Sequence, residues 1–271
     1  MKSGSVIGID VGYSQARRSS AICRLDGSET TISWEILRFR AAEPERENAI
    51  ALIAKGRHIA AAAFDGPIRR GFDIIGRYRT AERMLTRRLR PMIGKPGQSS
   101  APVGKLLNQH TNACVGHLVT HADVQNAAHG VAIDRKALVE AFPSSFLGMM
   151  IDKPASLAAR RGNRSDLFFK HLATTSVLRS LIEHCLPGRQ LESNLSSVVN
   201  HDDRAAVICA LTALCVAVGD FVAAGDDDGW IILPPRRFIQ SEQWALLNIN
   251  ALEENVESLY IQEPEKIAEQ R

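Results

Sequence analysis

Three short apolar runs open the chain, at residues 5–11, 18–25 and 30–38, and the turn sequence DGSE at 26–29 separates the second from the third. Runs of this length bounded by turn residues read as strands, and an antiparallel meander is their simplest arrangement. ERENAIALIAKG then has helical spacing and stops on Gly56, a residue suited to the end of a helix. HIAAAAFDGP reads as a buried parallel strand, because its apolar run is continuous and stops abruptly at Asp65-Gly66-Pro67.

Further along, residues 77–90 read as one basic helix, and PMIGKPGQSSAP as a mobile loop rich in Pro, Gly and Ser. A helical stretch is expected from about 103 to 126, a short strand at LVEAFP (138–143), and long helices over 164–186 and 202–224. GWIILPP reads as the final strand and residues 241–258 as a closing helix. Strands alternating with helices after a meander predict an α/β fold with a mixed sheet flanked by helices. No compositional break marks a linker, so residues 1–271 are expected to form one domain, with a basic helical and loop insertion at about 70–130 and an acidic C-terminal tail.

Composition narrows the class. Apolar residues make up 45% of the chain and charged residues 23%, as in an ordinary globular protein. No run of 18 apolar residues occurs, so no membrane span is expected. MKSGSVIGID lacks the features of a secretory leader. The five cysteines are scattered and never paired as CxxC, which argues against a disulfide framework or a thiolate zinc site and fits a reducing, cytoplasmic setting. His110, His117 and His121 share a helical spacing without a ligand motif around them, so a structural or surface role is expected.

Charge is distributed unevenly. Residues 67–105 carry ten Lys or Arg against Asp73 and Glu82, a local balance of +8, whereas residues 251–271 carry six Glu against Lys266 and Arg271. A basic middle with an acidic end points to a polyanion contacting one region, and equally to a solvated helix face.

The candidate chemistry lies in acidic residues placed on apolar strands. Asp10 interrupts GIDVG, Asp65 ends AAAAFD, Glu140 lies in LVEAFP, and Asp202-Asp203 begin the helix HDDRAAVICALTALCVAV. An ionised carboxylate is costly to bury without a positive partner. Each also has an ordinary explanation: Asp10 and Asp65 as turn residues, Asp202 and Asp203 as first-turn residues favoured by the helix dipole. Carboxylates at the ends of adjacent strands can converge, and oxygen ligands suit Mg²⁺ or Mn²⁺. Two such ions about 3.5–4 Å apart clamp an in-line phosphoryl displacement.

GIDVG at the head of a meander, then FDGPI, VEAFP and HDDRAAVICALTA, resemble the ribonuclease H-like superfamily. More narrowly, they are similar to a bacterial family of predicted RNase H-like nucleases still described as a domain of unknown function. GRYRTAERMLTRRL with GKPGQSSAP resembles that family's Arg-rich helix and loop, and GWIILPP its closing segment, so the resemblance covers roughly residues 5–235. It implies an RNase H-like mixed sheet and a Mg²⁺- or Mn²⁺-dependent nuclease acting on DNA or RNA. It further implies catalytic and metal-ligating roles for Asp10, Asp65 and Glu140, with Asp202 or Asp203 as the closing carboxylate, and substrate contacts for Arg79, Glu82 and Lys95. The pattern is broken at Ala205, where relatives often carry an aspartate.

Two rivals remain. A catalytically decayed protein on the same fold would bind nucleic acid without metal dependence. GIDVG also opens sugar-kinase and actin-like ATPase folds, but Tyr13 follows the second glycine where a Thr or Ser is usual, and no second phosphate loop follows Lys105.

Overall fold

In the computed structural model, residues 4–68 and 77–264 are described. The expected meander is β1 (Gly4–Asp10), β2 (Ser20–Gly27) and β3 (Thr31–Phe39), each antiparallel to the next. Helix α1 (Glu45–Ala54) crosses to β4 (His58–Asp65), which pairs parallel to β1. The helical excursion follows as α2 (Thr80–Thr86), α3 (Arg90–Ile93) and α4 (Pro102–His121). A two-residue β5 (Asp123–Val124) and then β6 (Leu138–Ala141) both return parallel to β4.

Helices α5 (Pro143–Met149), α6 (Pro154–Ala158), α7 (Arg164–Thr174) and α8 (Val177–Cys185) lead to β7 (Gln190–Leu191) beside β3. The long α9 (His201–Val218) precedes the hairpin of β8 (Phe221–Asp226) and β9 (Gly229–Leu233). The described chain closes with α10 (Ser241–Glu254) and the edge strand β10 (Leu259–Gln262). The result is an α/β fold whose ten-stranded mixed sheet runs β10-β8-β9-β6-β4-β1-β2-β3-β7, with β5 beside β4.

Both faces of the sheet are covered, as its continuous apolar strands require. On one face Val6, Cys23, Ala61, Ala63 and Val139 pack against α5, α7, α8 and α9. On the other, Ile7, Ile9, Ile22, Ala62 and Phe64 pack against α1 and α4. Beside that layer, Val222, Ile231 and Leu233 pack against α2, α3 and α10. No described helix is long and apolar enough to cross a membrane.

Four expectations are corrected. Residues 77–90 form not one helix but α2 and α3, separated by a turn at Arg87–Leu89. Residues 164–186 split because Ser176 takes a left-handed conformation, φ 63°. The helix expected to reach 224 stops at Gly219, whose φ of 72° caps it, and Phe221–Asp226 turn into the sheet as β8. GWIILPP is not the last strand, since β10 follows α10.

The loop expected to be mobile is pinned instead. Ser99 donates its backbone N–H (3.0 Å) and its hydroxyl to Glu82, and the Ser100 hydroxyl donates to the Arg77 carbonyl at 2.6 Å. Gly104 lets the loop lie against the start of α4, where a β-carbon would stand 2.2 Å from the Gln98 carbonyl oxygen.

Candidate metal and phosphate site

Register places the first two acids together. Asp10 and Asp65 are direct lateral partners at the carboxyl ends of parallel strands β1 and β4. Lateral partners in a parallel sheet project to the same face. Here that is the face covered by α9, which packs across β1, β4 and β2. Gly8 sets how closely α9 approaches, because a β-carbon there would lie 2.0 Å from the Ala210 nitrogen and 2.3 Å from the Ala206 carbonyl oxygen. With α9 seated so low on β1, its first turn ends beside the carboxylates. Asn200 caps that turn by accepting from the backbone N–H groups of Asp202 and Asp203.

The result is a corner of four carboxylates. Neither Asp10 nor Asp65 has a side-chain hydrogen bond or ion pair among the described residues. Burial pushes the Asp10 carboxyl well above the usual range, and the charges of Asp65, Asp202 and Asp203 push it further. Asp65 is raised to about 7 by burial and then by Glu140, while His201 pulls it back. Asp203 is also raised by burial, offset by Arg38, whose Nε lies 3.4 Å from its Oδ1.

Glu140 stands apart. Its lateral partner is Phe64, one residue short of Asp65, so the pleat turns it to the opposite face. Its two oxygens are gripped by Arg79, at 2.8 and 2.6 Å, while Arg79 Nε donates to Glu82 at 2.8 Å. Gly229 makes room for this fork, since a β-carbon there would fall 2.5 Å from Arg79 Nη1. Burial raises the Glu140 carboxyl and the guanidinium draws it back. Only at the strand ends do Asp65 and Glu140 meet, in a cavity of about 170 Å³ that Arg79, Ser99, Leu107 and Phe142 also line.

The expected substrate contacts fare differently. Glu82 is fully buried and Arg79 is 5% exposed, so both are internal struts, although Arg79 does line the cavity. Lys95 is exposed, its ammonium 4.7 Å above the Tyr78 ring.

No family model matches the chain, nor does any curated protein or solved structure.

Part of the basic segment is neutralised from within. Arg83 and Arg87 pair with Glu254, and Arg87 and Arg88 with Glu253, so α10 supplies the anions for this cluster. Arg69, Arg70 and Asp73 of that segment lie outside the described residues, as do Glu265, Lys266, Glu269 and Arg271 of the tail.

The corner's donor set suits a hard cation. Asp10 and Asp65, as lateral partners, offer oxygens that form no ion pair among the described residues. No group of three or more His, Cys, Asp or Glu side chains among the described residues is arranged to hold a metal ion. Mg²⁺ commonly takes only one or two carboxylates and completes its shell with water and phosphate oxygens. Two neighbours escaped the sequence: His201, whose charge reaches Asp65, and Arg38, which reaches Asp203 from β3. His201 stands immediately before the acidic pair, which was a usable signal. Arg38 had none, because its partner lies on a distant helix.

Proposed function

We propose that the chain is a Mg²⁺- or Mn²⁺-dependent nuclease hydrolysing phosphodiester bonds of nucleic acid at the Asp10–Asp65 corner. One observation carries this reading: two carboxylates held side by side on parallel strand ends, facing an acidic helix turn, with no hydrogen bond or ion pair to either side chain among the described residues. The strand order β3-β2-β1-β4-β6, antiparallel through the first three and parallel afterwards, supports an RNase H-like sheet.

Asp10 and Asp65 would hold the metal, with water and phosphate oxygens completing its shell beside the acidic turn of α9. When bound, the ion supplies charge neutralisation at the phosphate and an activated water. The residues themselves do the rest. Asp10 and Asp65 fix the position at which the phosphate is presented. Arg79 holds Glu140 immobile in the adjoining cavity wall through both of its oxygens. His201, exposed at the head of α9, sits with its Nδ1 3.2 Å from Asp166 and adds positive potential towards Asp65.

A second reading has its own support. Arg79 occupies both oxygens of Glu140, and Ala205 supplies no carboxylate, as expected of a nucleic-acid-binding protein that has lost catalysis.

A nuclease assay on DNA and RNA with Mn²⁺ separates the two. The unaltered chain should cleave, and chelation or Asp10→Asn should abolish cleavage. Binding without cleavage, indifferent to both, would favour the decayed protein. Equal cleavage by Asp10→Asn would remove the corner from consideration.

A further inference from the structure

Most arginines near the sheet are engaged by the chain's own carboxylates: Arg24 by Asp26 and Glu35, Arg46 by Glu43, Arg79 by Glu82 and Glu140, Arg204 by Asp166. Arg38 differs in both place and partner. Register aligns Asp65, Asp10, Ala21 and Arg38 in one row across β4, β1, β2 and β3. All four belong to the face covered by α9, with Ile32, Trp34 and Ile36 marking that side of β3. Strands stand about 4.8 Å apart, so Arg38 is roughly 10 Å from Asp10 along the row.

Its one side-chain ion pair among the described residues is loose. The 3.4 Å from Nε to Asp203 Oδ1 is beyond a good hydrogen bond. Asp203 Oδ1 is itself buried without a hydrogen-bond donor. The two terminal nitrogens of Arg38 have no partner among the described residues, and its side chain is 46% exposed. A planar guanidinium with a free fork matches a phosphate in two parallel hydrogen bonds. Its position matters electrostatically, because Asp10, Asp65, Asp202 and Asp203 together repel a polyanion.

We infer that Arg38 binds a backbone phosphate next to the one presented to Asp10 and Asp65, with Asp203 lying beside its Nε and leaving the terminal fork free. Asp202, whose side chain has no partner among the described residues, is then the α9 member of the acid corner. This inference rests on the nuclease reading for the direction in which the strand lies.

The test is oligonucleotide binding by fluorescence anisotropy across a salt series, on single- and double-stranded substrates, for the unaltered chain, Arg38→Gln and Arg38→Lys. Isothermal titration of Mn²⁺ into each protein alone runs alongside. Losing one phosphate contact should lower the slope of log affinity against log salt by about 0.7 for a single strand or about 0.9 for a duplex. Affinity of Arg38→Gln should fall on the order of tenfold. Arg38→Lys should keep the slope while binding more weakly than the unaltered chain, and Mn²⁺ affinity should be the same in all three. A slope unchanged in Arg38→Gln, with cleavage intact, overturns the inference and leaves the nuclease standing. A lowered slope in a chain that never cleaves with Mn²⁺ does the reverse. No oligonucleotide binding by the unaltered chain overturns both.

Discussion

Two pairs of acids, Glu140 of β6 with Glu82 of α2 and Asp10 of β1 with Asp65 of β4, are treated in opposite ways. Glu140 and Glu82 are buried and share Arg79, which reaches both with three hydrogen bonds of 2.6–2.8 Å. Asp10 and Asp65 are lateral partners, and neither forms an ion pair among the described residues. Burying a carboxylate is unfavourable in both places. Where the fold needs the acid as a strut, it supplies the counter-ion. Where it leaves the acid uncompensated, the counter-ion must come from outside, or the group must hold a proton. Burial and neighbouring carboxylates raise both Asp10 and Asp65, the direction that favours a proton on the pair.

The most forceful way to break this contrast is to remove the strut. Arg79→Met leaves two buried carboxylates without their partner, and breaking a buried pair costs about 3–5 kcal/mol. Denaturant unfolding should show a loss of that size, partly recovered by adding Glu140→Gln. Asp10→Asn, by contrast, relieves like-charge repulsion and should leave the metal-free protein equally stable or more so. If Arg79→Met proved as stable as the unaltered chain, the distinction between strut and site would fail.

A second test sharpens the other half of the comparison. Asp65 titrates at about 7 in the folded protein, above the unfolded value of about 3.9. The folded state therefore binds more protons than the unfolded state between those values. The stability this contributes is fully present below about pH 4 and is lost as pH rises through about 7. Measured as the difference between the unaltered chain and Asp65→Asn, the fall should be roughly 2–4 kcal/mol. Mn²⁺ should flatten it, because a bound cation favours the ionised pair. A difference that stays level from pH 4 to 8 would show that Asp65 is ionised throughout and not desolvated by the corner.

What the sequence revealed follows from what is local. The meander, β4, β6 and α4 are legible because apolar runs, turn residues and helix spacing act within a few residues. The acids at Asp10 and Asp65 are legible for the same reason, since each interrupts an apolar strand. Register is not local. Glu140 sits in a similar apolar run, yet one residue of offset against β4 turns it away from Asp65 and towards Arg79. Phe221–Asp226 continued an Ala- and Val-rich helix in composition, and only the left-handed Gly219 redirected it into the sheet. Charge was the least legible. Arg83, Arg87 and Arg88 read as a surface for a polyanion because their partners, Glu253 and Glu254, lie more than 160 residues away.

That clasp between α2 and α10 supplies the smallest effect and a control for the larger ones. Glu254 is mostly covered and is held below the usual carboxylate range by hydrogen bonding to Arg83, with Arg87 adding to the effect. Its contribution to stability is therefore present above the unfolded value near 4.3 and fades as pH falls, the opposite sign to Asp65. Both arginines remain part-exposed, so water and salt screen the pairs. Glu254→Gln should cost about 1 kcal/mol or less, and less again at high salt. The same change frees cationic groups at Arg83 and Arg87, so oligonucleotide binding should strengthen slightly if nucleic acid passes α2. Binding unaltered by Glu254→Gln but weakened by Arg38→Gln would place the nucleic acid on the α9 side of the sheet. The basic stretch that dominates the sequence would then be an internal fastening and not a binding surface.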